Sequence, residues 1–222
     1  MRAMILAAGR GERMRPLTDH TPKPLLEVGG QPLIAWHLEA LAGAGVEIVV
    51  INTAWLADRI EEWVGDGARW GVQVVYSREP PGALETGGGI LKALPLLGSD
   101  PFWVINGDVW IDYPMQAFPR ELGGLAHLVL VENPVHNPEG DFPLDGQGRV
   151  GEDGVRLTFS GVGLFHPGLW RGCRPGRFAL APLIRRAAAQ GRVTGERWPG
   201  AWHDVGTPAR LAALREHLAS RG

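Results

Sequence analysis

Five short apolar runs, Met4–Ala8, Ile48–Ile51, Val72–Tyr76, Phe102–Ile105 and Leu128–Val131, alternate with stretches whose apolar residues recur at helical spacing. Pro32 opens one such stretch, which carries Leu33, Ile34, Leu38 and Leu41 on one face and meets Gly43 and Gly45 at its end. Leu56, Ile60 and Val64 mark a second. A third follows Gly87-Gly88-Gly89 with Ile90, Leu91, Leu94 and Leu97, and Pro95 would stop or kink it. Consecutive parallel strands need a crossover, usually a helix. The alternation therefore predicts an α/β, Rossmann-like, doubly wound sheet, mainly parallel but mixed.

The pattern changes near residue 132. Asn133–Gly154 is rich in Pro, Gly, Asp and Asn and reads as an excursion over a site, before apolar order returns at Val155–Phe165. Two closing helices are expected, Phe178–Gln190 and Thr207–Ala219, the second with Thr207 as N-cap and Pro208 at its first position. The later elements are too few for a separate core. The expectation is one domain over 1–222, with 1–131 building the sheet and 132–222 supplying a lid region and the closing helices.

With 45% hydrophobic residues and a net charge of −2, the chain has the composition of an ordinary globule and no basic block to bind a nucleic-acid backbone. A small-molecule ligand is expected. Cys173 is the only cysteine, which excludes an internal disulfide and a cysteine-based zinc site. The opening apolar run reaches glycine too soon for a signal peptide, and no apolar stretch attains the roughly 18 residues of a membrane span. No membrane association is expected, and the cytoplasm is the expected compartment.

The first strand runs into Ala8-Gly9-Arg10-Gly11-Glu12-Arg13-Met14-Arg15-Pro16-Leu17-Thr18. Glycines there let backbone N–H groups approach phosphate oxygens, and the arginines supply charge that a triphosphate needs. Position 14 is Met where a dinucleotide loop requires Gly, and the Gly-Lys-Ser/Thr ending of a Walker loop is absent. Thr21-Pro22-Lys23-Pro24 then places a lysine between two prolines, which limit the freedom lost when its ammonium is aimed at an anion. Downstream, Phe102–Ile105 ends in Asn106-Gly107-Asp108, putting a carboxylate at the edge of the sheet where α/β ligands bind. Ala201-Trp202-His203-Asp204-Val205-Gly206-Thr207 supplies a second aspartate just before a helix.

The glycine-arginine loop, Pro-Lys-Pro and the Trp-x-Asp-x-Gly-Thr segment together resemble the sugar-phosphate nucleotidyltransferase family. That resemblance implies transfer of a nucleoside monophosphate from a triphosphate to a sugar 1-phosphate, with release of pyrophosphate. It also names residues 1–131 the nucleotide-binding half and 132–222 the sugar-binding half. It implies catalytic roles for Arg15, Lys23 and Asp108, and nucleotide contacts from Ala8, Gly9, Gly11, Glu12, Arg13, Lys23, Glu85 and Thr86. Asn106, Asp141 and Ser160 would meet the sugar, and Mg²⁺ would sit between Asp108 and Asp204.

Leu84-Glu85-Thr86-Gly87-Gly88-Gly89 resembles the family's base-reading loop, but Ala83 stands near the place of a frequent glutamine and Glu85 near that of a glycine. The resemblance points to UTP and N-acetylmuramic acid α-1-phosphate as substrates, in peptidoglycan recycling. Two alternatives stay open: GTP with mannose 1-phosphate, and a regulatory nucleotide-sugar-binding subunit without turnover.

Overall fold

Strand β1 (Arg2–Leu6) lies in the middle of the sheet, with Ala3, Met4 and Ile5 fully buried. The computed structural model describes residues 1–119 and 121–221. After β1 come the glycine loop, a small hairpin of β2 (Glu27–Val28) and β3 (Gln31–Pro32), and helix α1 (Leu33–Gly43). Strand β4 (Ile48–Thr53), helix α2 (Ala57–Val64), strand β5 (Gln73–Arg78), helix α3 (Glu85–Leu97) and strand β6 (Phe102–Asn106) complete the parallel part. β1 pairs in parallel with both β4 and β6, and β4 with β5.

The chain continues through β7 (Val109–Ile111), β8 (Ala126–Val131), β9 (Phe142–Leu144) and the long β10 (Val155–Phe165). It closes with α4 (Ala181–Ala188), β11 (Val193–Arg197), β12 (Trp202–Asp204) and α5 (Pro208–Ala219). The strand order is β11-β8-β10-β6-β1-β4-β5, with β9 added on β10. β10 is antiparallel to both β6 and β8, while β11 is parallel to β8, so the sheet is mixed and mainly parallel. This is the α/β class that the alternation predicts.

Side chains on a strand alternate between faces, and both faces of this sheet are covered. Ala3, Ile5, Val49 and Ile51 point into a core that includes Ile34, Leu38 and Ile60 of α1 and α2. Met4 and Val50 point the other way, against Ile90, Ala93 and Leu97 of α3 and Ile184 of α4. Burial of each Val, Ile, Leu or Met side chain among these contributes about 1.5–3 kcal/mol. The ends of β1, β4 and β6 meet at one edge of the sheet, where Leu6, Asn52 and Asn106 stand side by side in register.

Strand bounds shift by up to two residues from the sequence reading, and several helix bounds differ too. Helix α3 starts at Glu85, before the glycines, and runs through Pro95 to Leu97, capped by Gly98 with φ +86°. Helix α4 starts at Ala181 instead of Phe178, because the backbone of 178–180 is spent on Leu84 and the first turn of α3. Pro32 precedes α1 as its N-cap residue. In residues 133–154, β9 pairs with β10 and Arg149 bridges to Thr194, so this segment packs on the sheet end. Among the described residues no helix is long and apolar enough to cross a membrane.

Candidate active site

A cleft of about 1320 Å³ opens over the ends of β1, β4 and β6. It exceeds the roughly 300–1,000 Å³ usual for one small ligand, which leaves room for two reactants. Its floor is the loop after β1. A Cβ on Gly9 would meet no atom within 4 Å, so packing does not demand glycine there, and the residue leaves bare backbone facing the cleft. Gly11 has φ +66° and receives the Thr18 hydroxyl on its carbonyl at 2.8 Å, which folds the loop back on itself.

Of the arginines in this loop, Arg10 and Arg13 line the cleft. Arg10 stacks 3.7 Å from the Trp55 ring centroid and donates to the Thr18 carbonyl at 2.9 Å and to Asp19 at 2.8 Å. Arg15 is directed elsewhere: its Nε donates to Asp19 at 2.8 Å, its side chain is largely exposed, and it is not part of the cleft wall. The hydrogen bond from Arg10, with the Arg15 charge beside it, holds the Asp19 carboxyl below the usual carboxylate range.

Lys23 occupies a short 3-10 turn between its prolines and is buried. Its ammonium donates to Asp108 Oδ2 at 2.7 Å, at the mouth of the turn that follows β6. Beneath that turn lies His37 of α1, fully enclosed. Burial pushes its imidazole down to about 4, against opposing pulls from the Asp108 charge and the Val109 backbone.

β12 pairs with β7 so that Asp204 stands opposite Val109, and Val205 N–H donates to the Asp108 carbonyl at 2.7 Å. The backbones of the two aspartates are therefore neighbours, although their side chains have separate partners. Asp204 Oδ2 takes Arg210 Nη1 at 2.9 Å, and Oδ1 lies 3.3 Å from His136 Nε2, in a smaller cleft beside the main one.

Another part of the cleft lining comes from the turn that leads into α3. Ala83 and Glu85 have φ of +53° and +59°, and Leu56 has +50°. These are the positive-φ non-glycine residues of the described chain, and all three line the cleft. Left-handed backbone costs such residues about 1–2 kcal/mol, and strain of this kind gathers at functional sites. Glu85 thus adopts the conformation that a glycine would supply, with its carboxylate 3.0 Å from Arg177 Nε.

The three glycines that follow serve close approach. A Cβ on Gly87 would fall 2.6 Å from the Phe178 ring, on Gly88 2.1 Å from the Gly176 carbonyl, and on Gly89 2.5 Å from Glu79 Oε1. A strap from the second half of the chain crosses here, with Gly88 N–H donating to the Phe178 carbonyl and Leu180 N–H to Thr86 Oγ1.

Of the other expected contacts, Ala8, Glu12 and Asn106 line the cleft as well. Asp141 and Ser160 do not; Asp141 accepts the Phe159 N–H at 2.8 Å, and Ser160, fully buried in the bulge of β10, accepts from Val162 N–H. Trp110 is core, edge-on to Trp36. Arg10, Asn52, Glu79 and Arg177 are cleft residues that sequence reasoning missed. Arg10 sits within the glycine-arginine loop, whereas Asn52, Glu79 and Arg177 belong to no short motif.

A family model described as nucleotidyl transferase matches residues 2–140. The chain belongs to the nucleotidyl transferase family. Within it, the chain is 54% identical to N-acetylmuramate alpha-1-phosphate uridylyltransferase of Neisseria meningitidis, over 95% of each chain. It is 40% identical to the enzyme of that name in Caulobacter vibrioides, over 98% of this chain and 96% of the relative. The inositol-1-phosphate CTP transferase of T. maritima, at 20% identity, superposes with a TM-score of 0.81 over 98% of this chain and 94% of that one. A nucleotidyl transferase fold thus spans both halves of the chain.

Proposed function

We propose that the chain transfers UMP from UTP to N-acetylmuramic acid α-1-phosphate, giving UDP-N-acetylmuramic acid and pyrophosphate, as a cytoplasmic step that returns a cell-wall sugar to nucleotide-linked form. The observation that carries the reaction class is the convergence, in one cleft, of the bare glycine loop, the arginines beside it and the Lys23–Asp108 pair. The substrate pair rests on the names of the two relatives that match nearly end to end.

An oxygen of the sugar phosphate forms a bond to the α-phosphorus of UTP, while the bond from that phosphorus to the bridging oxygen breaks and pyrophosphate leaves with the electron pair. The nucleophile is already ionised at neutral pH, so no general base is needed. What the chain supplies is alignment of two anions and cancellation of their charge. The Gly9–Gly11 backbone and Arg13 hold the triphosphate, Arg13 taking the part expected of Arg15. Lys23 reaches the transferring phosphate, and Asn106 faces the sugar.

The donor set fits Mg²⁺. Asp108 offers a hard carboxylate oxygen in the main cleft, and Asp204, from the neighbouring backbone position, would turn from Arg210 and His136 in the smaller cleft to join it; Mg²⁺ takes one or two carboxylates with phosphate oxygens and water for the rest. When bound there it would neutralise charge on the phosphates.

The test is pyrophosphate release from the purified protein over a matrix of nucleoside triphosphates and sugar 1-phosphates. UTP with N-acetylmuramic acid α-1-phosphate is expected to give the highest kcat/KM. GTP with mannose 1-phosphate in first place would overturn the substrate pair, and no release with any pair would favour a binding subunit.

A further inference from the structure

Along the wall of the cleft a chain of hydrogen bonds joins the phosphate loop to the base-reading turn. Ala7 N–H donates to Asn52 Oδ1 at 2.8 Å, Asn52 Nδ2 donates to Glu79 Oε1 at 2.6 Å, and Leu84 N–H donates to Glu79 Oε2 at 2.6 Å. Asn52 and Glu79 retain only 3% and 8% of their exposure. They come from the ends of β4 and β5, two adjacent parallel strands.

The order of donors along this chain is forced. Both of its ends are backbone N–H groups, which can only donate. Ala7 N–H therefore fixes the Asn52 amide with Oδ1 toward it and Nδ2 away. Nδ2 then needs an acceptor, and so does Leu84 N–H. A side chain that accepts on both sides and donates on neither is an ionised carboxylate. Glutamine in place of Glu79 would set a donor against a donor, and flipping Asn52 would only move that conflict to Ala7. A buried donor left without an acceptor is costly, which makes the arrangement selective.

Each end holds a part of the cleft. Ala7 opens the phosphate loop, and Leu84 stands between Ala83 and Glu85, the two left-handed residues of the turn into α3. Helix α3 rests on the junction, since a Cβ on Gly89 would lie 2.5 Å from Glu79 Oε1 and 3.0 Å from Asn52 Nδ2.

We infer that Asn52 and Glu79 are positioning residues, a polar tie that sets the spacing between the triphosphate end and the base end of the nucleotide site. This rests on the nucleotide reading of the cleft. The tie keeps both parts at the separation one bound nucleotide spans, and it leaves the sugar side untouched.

The experiment compares the parent, Glu79→Gln and the double variant Asn52→Asp/Glu79→Gln in steady-state kinetics, with UTP binding measured in parallel by calorimetry. Glu79→Gln is expected to raise KM for UTP at least about tenfold and to blur the preference for UTP over other triphosphates, while KM for the sugar 1-phosphate stays within about twofold. In the double variant the new aspartate accepts from both neighbours, and the new glutamine donates to it while accepting from Leu84. UTP affinity and base preference should then return to within about threefold of the parent.

A folded Glu79→Gln protein with the parent's UTP affinity and base preference overturns the tie. So does a double variant no closer to the parent than the single one, or one that fails to fold. Should Glu79→Gln alone not fold, recovery of both folding and UTP affinity in the double variant supports it. A parent that binds UTP but turns over no sugar phosphate fails the functional reading without touching the tie.

Discussion

Lys23 Nζ donates to Asp108 Oδ2 across 2.7 Å, joining the loop after β1 to the turn after β6. The lysine is nearly buried and the aspartate half-exposed, so the pair presents one cation inside the wall and one carboxylate oxygen to the cleft. An approaching phosphate and an approaching metal would each find its opposite charge without a new side chain moving in.

Lys23→Ala removes the inner member of that pair. Transition-state stabilisation should fall by about 2–4 kcal/mol, the scale of one preorganised electrostatic donor. A kcat/KM ratio within threefold of the parent, in a protein that melts normally, would return Lys23 to a structural role.

Arg13 and Arg15 make a matched comparison. Arg13 lines the cleft, whereas Arg15 is held by Asp19 outside it. Arg13→Ala should lower kcat/KM by about 100-fold and Arg15→Ala by less than about threefold. The reverse ranking would mean that the loop rearranges when triphosphate binds.

Asp204→Asn separates the metal reading from the local ion pair. Its carboxylate is paired with Arg210, so the metal-free protein should melt lower in the variant. Turnover should fall at least about 100-fold and recover in part with excess Mn²⁺, and Mn²⁺ binding followed by electron paramagnetic resonance should weaken. Unchanged Mn²⁺ binding would leave Asp204 as a structural partner of Arg210 alone.

His37 sets a pH dependence. Its folded value lies near 4, below the ordinary 6.5, so between these values the unfolded chain binds the extra proton. The stability it contributes is present above about 6.5 and is lost as pH falls toward 4. His37→Phe should flatten this acid limb of the melting curve, and the parent's His37 ring signal should not titrate between pH 8 and 5. Parallel melting curves for parent and variant would contradict this.

Strand-helix alternation was enough to read the parallel half, because each strand is a local apolar run with a helix returning beside it. The place of β10 was not legible. Its antiparallel insertion between β6 and β8 depends on pairing across distant segments, and an apolar run does not state its direction. In the cleft, Gly9, Gly11 and Lys23 announced themselves through short motifs. Glu79 and Asn52 did not, since an isolated acid and an isolated amide at strand ends look like ordinary turn residues until the fold sets them 2.6 Å apart. Gly87-Gly88-Gly89 reads as a helix start, yet the structure uses each glycine for a different neighbour.

The position of β10 also bears on how the chain is made. During synthesis β6 and β8 emerge well before the strand that belongs between them, so the early sheet stops at an open edge on β6. Unpaired edges invite contacts with other chains. Until residues up to Phe165 have left the ribosome the gap cannot close, and the growing chain must keep β8 available without letting it zip directly onto β6.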